Sequence, residues 1–192
     1  MIIGVLFFSF FAVFFAHRYW ETGLILYLVK LCYDILIIYF LLNRSKAKSK
    51  DFSTFSRIIA STHTVFPLFY VAAETEPLVN VDYIFILLLF GMAIVGLAII
   101  DLSHSFGILP ANRGVKSKGF YSFVRHPLYF GYIITAIGIV CMNFTVSNVA
   151  LFGLYLALTH LRINREERLL SQSEEYIDYQ RAVPSRILPW IY

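Results

Sequence analysis

A chain of 192 residues that is 59% hydrophobic and 15% charged, with a net charge of +4, lies outside the soluble norm of roughly 45 to 50% apolar and about 25% charged. It reads as an integral membrane protein, and because each span takes about 20 residues, little is left for a separate soluble domain. The basic residues gather without interleaved aromatics, which argues against a nucleic-acid surface, and the two cysteines, Cys32 and Cys141, sit in apolar runs as small core residues, with no metal site in prospect.

Taken in order, the apolar runs give candidate spans near 2 to 16, 24 to 42, 58 to 73, 83 to 100, 128 to 142 and 148 to 161. The fold class that follows is all-α: a polytopic membrane bundle of about six transmembrane helices, five if the first is not a span. The first run is phenylalanine-rich and has no basic leader, and Phe14 stands where a signal peptidase needs a small residue, so it reads as a retained anchor. In the second, Lys30 and Asp34 lie four apart on one face, where membrane depth demands that charges pair; a self-neutralising pair and a substrate or proton path are the two readings. His63 in the third reads as a hydrogen-bonded interior residue. The last two runs are short and form a helical hairpin turning at Asn143 to Asn148.

Positive charge is segregated by loop. Arg44, Lys46, Lys48, Lys50 and Arg57 follow the second span; Arg113, Lys116, Lys118 and Arg125 follow the fourth; Arg162, Arg165, Arg168, Arg181 and Arg186 occupy the C-terminal tail. The alternate loops hold Arg18 and little else, so the positive-inside rule puts both termini and these loops in the cytoplasm, with the basic linker touching anionic lipid.

From Asp101 to Phe123 the chain leaves the membrane through a loop of roughly 20 residues broken by Gly107, Pro110, Gly114 and Gly119, and loops of that length tend to be functional. The stretch GFYSFVRHPLYFGY, Gly119 to Tyr132, then concentrates polar chemistry at a membrane entry. Pro127 suits a first helical turn, so a helix begins there with Arg125 and His126 at its mouth and spare N–H groups facing an anion. In RINREERLLSQSEEYIDYQR, Arg162 to Arg181, a helical wheel clusters Ile163, Leu169, Leu170, Tyr176 and Ile177 and drops Glu166 into that apolar arc, with Glu167 flanking it. Arg162, one turn earlier, offers Glu166 an ion-pair partner, while Arg165 and Arg168 point to water. Two polar clusters distant in sequence, Arg125-His126 and Glu166-Glu167, are thereby expected over one pocket at the membrane surface.

RHPLYFGY at 125 to 132, preceded by Gly119 and Tyr121 and followed after the hairpin by RINREERLL, EYIDYQRAVP and RILP, resembles the isoprenylcysteine carboxyl methyltransferase family, itself similar to phospholipid N-methyltransferases. The resemblance covers about residues 107 to 190. It implies that residues 107–192 form the cofactor-binding region and residues 1–106 the lipid-facing helices that grip an acceptor, within one integrated domain. It further implies S-adenosylmethionine bound on the cytosolic side and a lipid-like acceptor entering from the bilayer. Carried over residue by residue, Tyr121, Arg125, His126, Pro127, Tyr129, Glu166, Glu167, Tyr176 and Tyr179 are the cofactor-binding set, Pro184 belongs to the closing tail, and Arg162 and Glu166 are the catalytic pair. A carboxylate acceptor needs no general base and would be steadied by Arg162, whereas an amine would need Glu166 to take a proton. An NADPH-dependent sterol-type reductase and a non-enzymatic membrane scaffold are the alternatives from other classes.

Overall fold

The computed structural model describes residues 2–51, 53–72 and 75–188; Pro189, the end of the RILP motif, and Glu74 lie outside them. Seven α-helices dominate these residues. The first two, α1 (Ile2–Thr22) and α2 (Ile25–Leu42), form an antiparallel hairpin that turns at Gly23, whose φ of +65° is in the left-handed region that favours glycine.

The segment expected as the third span takes a different form. Helix α3 is only Thr54–Val65, capped at its start by Ser53, whose side chain accepts from the Ser56 N–H. Pro67 lacks an N–H, and the chain ends the helix in a 3₁₀ turn, Phe66–Phe69. Twelve residues make about 18 Å of helix, short of a hydrocarbon core of about 30 Å. Its buried residues, Ser56, Ile59, Ala60 and His63, recur every three to four positions, so α3 is an amphipathic helix laid against the bundle. Among the described residues, four helices are long and apolar enough to cross a membrane: α1, α2, α4 (Val81–Leu102) and α6 (Val146–Leu170). Helix α5 (Pro127–Met142) is a shorter apolar one.

Helices α4 and α5 pack almost backbone to backbone. A Cβ on Gly91 would lie 3.0 Å from the Gly131 carbonyl oxygen, and one on Gly131 would lie 2.9 Å from that of Gly91. Small residues at such a crossing let van der Waals packing hold helices together where lipid provides no hydrophobic drive. This contact fixes where α5 begins, and hence the Arg-His-Pro mouth. The α5–α6 hairpin turns as expected: Thr145 caps α6 by accepting from the Asn148 N–H, and the Asn148 amide bonds to Val71 and Asn143.

At the other end of the bundle, two residues of the basic linker, β1 (Ser49–Lys50), pair antiparallel with β2 (Ala111–Asn112) from the loop after α4. Helix α7 (Glu174–Ala182) folds beneath that loop, its Tyr176 and Tyr179 packed in one apolar cluster with Ala98, Tyr121 and Val183. The three basic segments of the sequence therefore meet at one end of the molecule.

Candidate active site

The long loop is shaped from below by Asp101, in the last turn of α4. Its carboxylate accepts from the Phe120 N–H at 2.8 Å. Gly119, at φ +61°, passes so close that a Cβ would lie 2.2 Å from an Asp101 oxygen. Glycine is required there on both counts. The resulting 3₁₀ turn, Gly119–Ser122, buries Tyr121, and Tyr179 of α7 donates to the Tyr121 carbonyl at 2.6 Å. Burial pushes the phenols of Tyr121, Tyr176 and Tyr179 well up from their ordinary value, so all three stay protonated.

Helix α5 starts at Pro127 with His126 as its N-cap, as the sequence indicates. The anion at its mouth is the protein's own Glu167. One oxygen of this buried carboxylate accepts from Arg125 Nε at 2.8 Å and lies 3.1 Å from His126 Nε2; the other is 2.9 Å from a nitrogen of Arg186. The tail completes the knot. Backbone carbonyls of Ser185 and Arg186 accept from the N–H groups of Arg125 and His126, and those of Val183 and Pro184 accept from the Arg125 guanidinium. The N–H groups expected to await an external anion are thus engaged: those of Tyr129 and Phe130 turn back to the His126 carbonyl. Here the sequence reading needs correction, because Glu167, only flanking the apolar arc on the wheel, is the buried carboxylate, while Glu166 is half-buried.

Glu166 instead accepts from the Tyr129 hydroxyl at 2.9 Å. Among the described residues no ion pair joins it to Arg162. That guanidinium is buried and points elsewhere: one nitrogen donates to His63 Nδ1 at 3.1 Å, the other to the Ile108 carbonyl at 2.7 Å, and its carbon lies 5.5 Å from the centre of the Tyr129 ring. Because a guanidinium only donates, His63 Nδ1 is the unprotonated nitrogen, leaving Nε2–H to donate to Thr159 Oγ1 at 3.0 Å. His63 is therefore the hydrogen-bonded interior residue expected of it. Arg165, expected to face water, lies over the Phe55 ring with its carbon 4.6 Å from the centre.

These groups surround two cavities. A small polar cleft of about 80 Å³ is walled by Tyr121, Arg125, His126, Tyr129, Arg162 and Glu166, with Tyr176 and Tyr179 of α7 across from them. Pro127 and Glu167 stand behind this wall as supports. Sequence reasoning missed Arg113 and Lys116, which the cleft also includes; they were visible only as loop charges. Burial first and Arg44 second lower the Arg113 guanidinium from its ordinary value. Two residues of the cleft lining each carry a buried polar atom with no partner among the described residues: Arg113 at Nε and Tyr176 at its hydroxyl.

The second cavity, about 390 Å³ and mostly apolar, runs among α1, α2, α4 and α5, with α3, its 3₁₀ turn and α6 completing the wall. Phe106, Leu128 and Arg162 belong to the walls of both cavities. No curated protein matches the chain. Residues 83–172, the stretch from α4 through the Arg-His-Pro mouth to the end of α6, match the model of the isoprenylcysteine carboxyl methyltransferase (ICMT) family; the match supports a membrane methyltransferase in general and leaves the first 82 residues outside it.

Proposed function

We propose that this protein transfers a methyl group from S-adenosylmethionine to a lipophilic acceptor, and that the receiving group is a carboxylate. The observation that carries this reading is Arg162, which faces a polar cleft and an apolar chamber at once. A nucleoside-sized donor and a hydrocarbon-tailed acceptor need separate surroundings, yet their reacting atoms must come within about 3 to 3.5 Å. A shared wall is where that meeting takes place.

The cleft residues fit the donor group by group. Buried polar atoms without partners are rare in folded proteins, and the Tyr176 hydroxyl and Arg113 Nε are two donors suited to its oxygens. Arg113 and Lys116 suit its carboxylate, Glu166 its ribose hydroxyls, and the electron-rich faces of Tyr121, Tyr176 and Tyr179 its sulfonium. When bound, S-adenosylmethionine supplies a methyl group made electrophilic by the positive sulfur. The remaining work belongs to the chain. Arg162, held rigid by His63 and the Ile108 carbonyl, binds and orients the acceptor carboxylate, which is already ionised at neutral pH and needs no base. Tyr129, tied to Glu166, closes the cleft beside it and excludes water. Glu166 is engaged by Tyr129 and the group common to both cavities is an anion binder, which favours a carboxylate over an amine. The positive-inside rule favours a cytoplasmic position for the basic end of the bundle and the cleft, and on this reading the chamber takes its ligand from the bilayer.

The test is transfer of radiolabelled methyl from S-adenosylmethionine into the organic phase of a lipid extract incubated with the detergent-purified protein. Labelled lipid is expected from the native chain. Arg162→Leu should abolish it while S-adenosylhomocysteine still raises the melting temperature. Absence of both label and thermal shift in the native protein would overturn the proposal, and turnover of NADPH would replace it with a reductase.

A further inference from the structure

Lys30 stands in the wall of the apolar chamber, where a plain hydrocarbon has no use for a charge. Its ammonium is hydrogen-bonded to Asp34, one turn later on α2, and lies 4.9 Å and 4.6 Å from the ring centres of Phe15 and Tyr33. Asp34 is fully buried, and its Oδ2 has no partner. The Lys30 side chain keeps 30% of its surface open. An ammonium has three donors; Asp34 takes one, and ring faces are weak partners for the others.

The position of this charge is set by two antiparallel helices. At one end of the chamber, a Cβ on Gly4 of α1 would lie 2.8 Å from Ile108 Cδ1 and 3.7 Å from Leu41 Cδ1 of α2, and the Ile108 carbonyl is the one that Arg162 holds. Lys30 lies eleven residues before Leu41, and its neighbour Phe15 lies eleven after Gly4. At 1.5 Å per residue, the Lys30 and Phe15 backbones lie about 16 Å along the bundle from the Arg162 end and Asp34, to which the ammonium reaches, about 10 Å. Between them the Tyr33 and Tyr132 hydroxyls meet at 2.9 Å and satisfy each other.

We infer that the chamber has a second polar recognition point. The acceptor carries a neutral oxygen, hydroxyl or carbonyl, roughly 10 to 16 Å from the group that is methylated, and Lys30 binds it. This rests on the proposed role of the chamber as the acceptor site and goes beyond it in stating that the acceptor's tail is not all hydrocarbon. A neutral oxygen fits better than a second carboxylate, because the Lys30–Asp34 pair carries no net charge and Asp34 repels an anion. Filling the chamber with bare hydrocarbon would strip the ammonium of water and return no hydrogen bond, and sites built around a polar group discriminate against chains that lack it. Helices α1 and α2 lie outside the matched residues 83–172, so this element of specificity belongs to a part of the chain that the family match does not cover.

The experiment is displacement of a fluorescent fatty acid from the detergent-purified protein by dodecanoate and by ω-hydroxydodecanoate. Without a partner, the added hydroxyl weakens entry into an apolar chamber. The native protein is expected to bind the hydroxylated chain about 10-fold more tightly than the plain one, as a hydrogen bond to a charged group allows, and Lys30→Met to lose or reverse that preference. Because Lys30→Met leaves Asp34 buried without a counter-charge and risks unfolding, the double variant Lys30→Met with Asp34→Asn provides a second comparison. Equal affinities in the native protein, or a preference that survives both variants, would overturn the inference while leaving the chamber an acceptor site. If neither chain displaces the probe, the acceptor-site reading fails and this inference with it.

Discussion

The polar cleft and the apolar chamber share a wall but are made on opposite principles. The cleft is assembled from a few chemically distinctive residues drawn from the long loop, α5, α6 and α7, several of them held by named bonds: Tyr179 to Tyr121, Tyr129 to Glu166, Arg125 to Glu167. The chamber is lined mostly by apolar side chains, with Lys30, His63, Arg162 and several tyrosines set among them. Single substitutions should therefore act sharply on the cleft and diffusely on the chamber, except where the chamber departs from its own rule at Lys30 and Arg162.

The largest effect is expected at Glu167. Its side chain is 6% exposed and bonds to Arg125, His126 and Arg186 together. Removing one partner of a buried ion cluster costs roughly 3 to 5 kcal/mol, so Glu167→Ala should lower the melting temperature steeply and free the C-terminal tail to limited proteolysis. Arg168→Ala, one position on and exposed, should change stability by no more than about 0.5 kcal/mol. Comparable losses in the two variants would show that the knot does not hold the tail.

Next comes the α4–α5 crossing that both cavities depend on. Gly91→Val places a branched side chain against Thr135 and the Gly131 carbonyl, and overpacking of this kind costs about 1 to 3 kcal/mol. By displacing the start of α5 it should weaken S-adenosylhomocysteine binding and probe uptake together. Gly96→Val, on the same helix with open space around it, should alter neither in the same thermal-shift and displacement assays.

How much of this was legible beforehand divides along the same line. The cleft was readable because Arg125, His126, Glu166 and the tyrosines are out of place in apolar sequence, and only a shared pocket at one end of the bundle accounts for them. What the wheel misjudged was which carboxylate is buried. It ran one helix from Arg162 to Arg181, which the structure breaks at residues 171–173 between α6 and α7, and it could not register that Arg125 and His126 from the start of α5 and Arg186 from the tail converge on Glu167. The third span was misread for a related reason: hydropathy registers the apolar run past Val65, but Pro67 ends the helix there. The two-residue pairing of β1 with β2 is too short to leave any periodicity. The chamber had no signature, because a cavity is a property of how α1, α2, α4 and α5 diverge and not of the residues that line it.

A sharper separation of the two regions comes from filling one of them. Met92→Trp adds bulk inside the chamber, at an unbranched residue whose neighbours accommodate change. Methyl transfer to lipid should fall at least about 10-fold, as expected when a misplaced acceptor loses its alignment, while the thermal shift given by S-adenosylhomocysteine stays native. A loss of both readouts would mean that the cavities are not independent compartments.

The smallest effect on stability is the most informative about the cleft. Tyr176 and Tyr179 are neighbours on one face of α7, both buried, yet the Tyr179 hydroxyl donates to a carbonyl and the Tyr176 hydroxyl has no partner among the described residues. Removing a hydroxyl that is bonded costs about 1 kcal/mol, whereas removing one that is buried and unsatisfied relieves a desolvation penalty. Tyr179→Phe should therefore melt a few degrees below the native protein, and Tyr176→Phe at or above it. If the Tyr176 hydroxyl is instead kept for a bound donor molecule, the order inverts when S-adenosylhomocysteine is added: Tyr176→Phe should lose more of the ligand-induced shift than Tyr179→Phe. A full shift in Tyr176→Phe would leave the unpartnered hydroxyl without a function and remove the strongest sign that the cleft is built around a ligand.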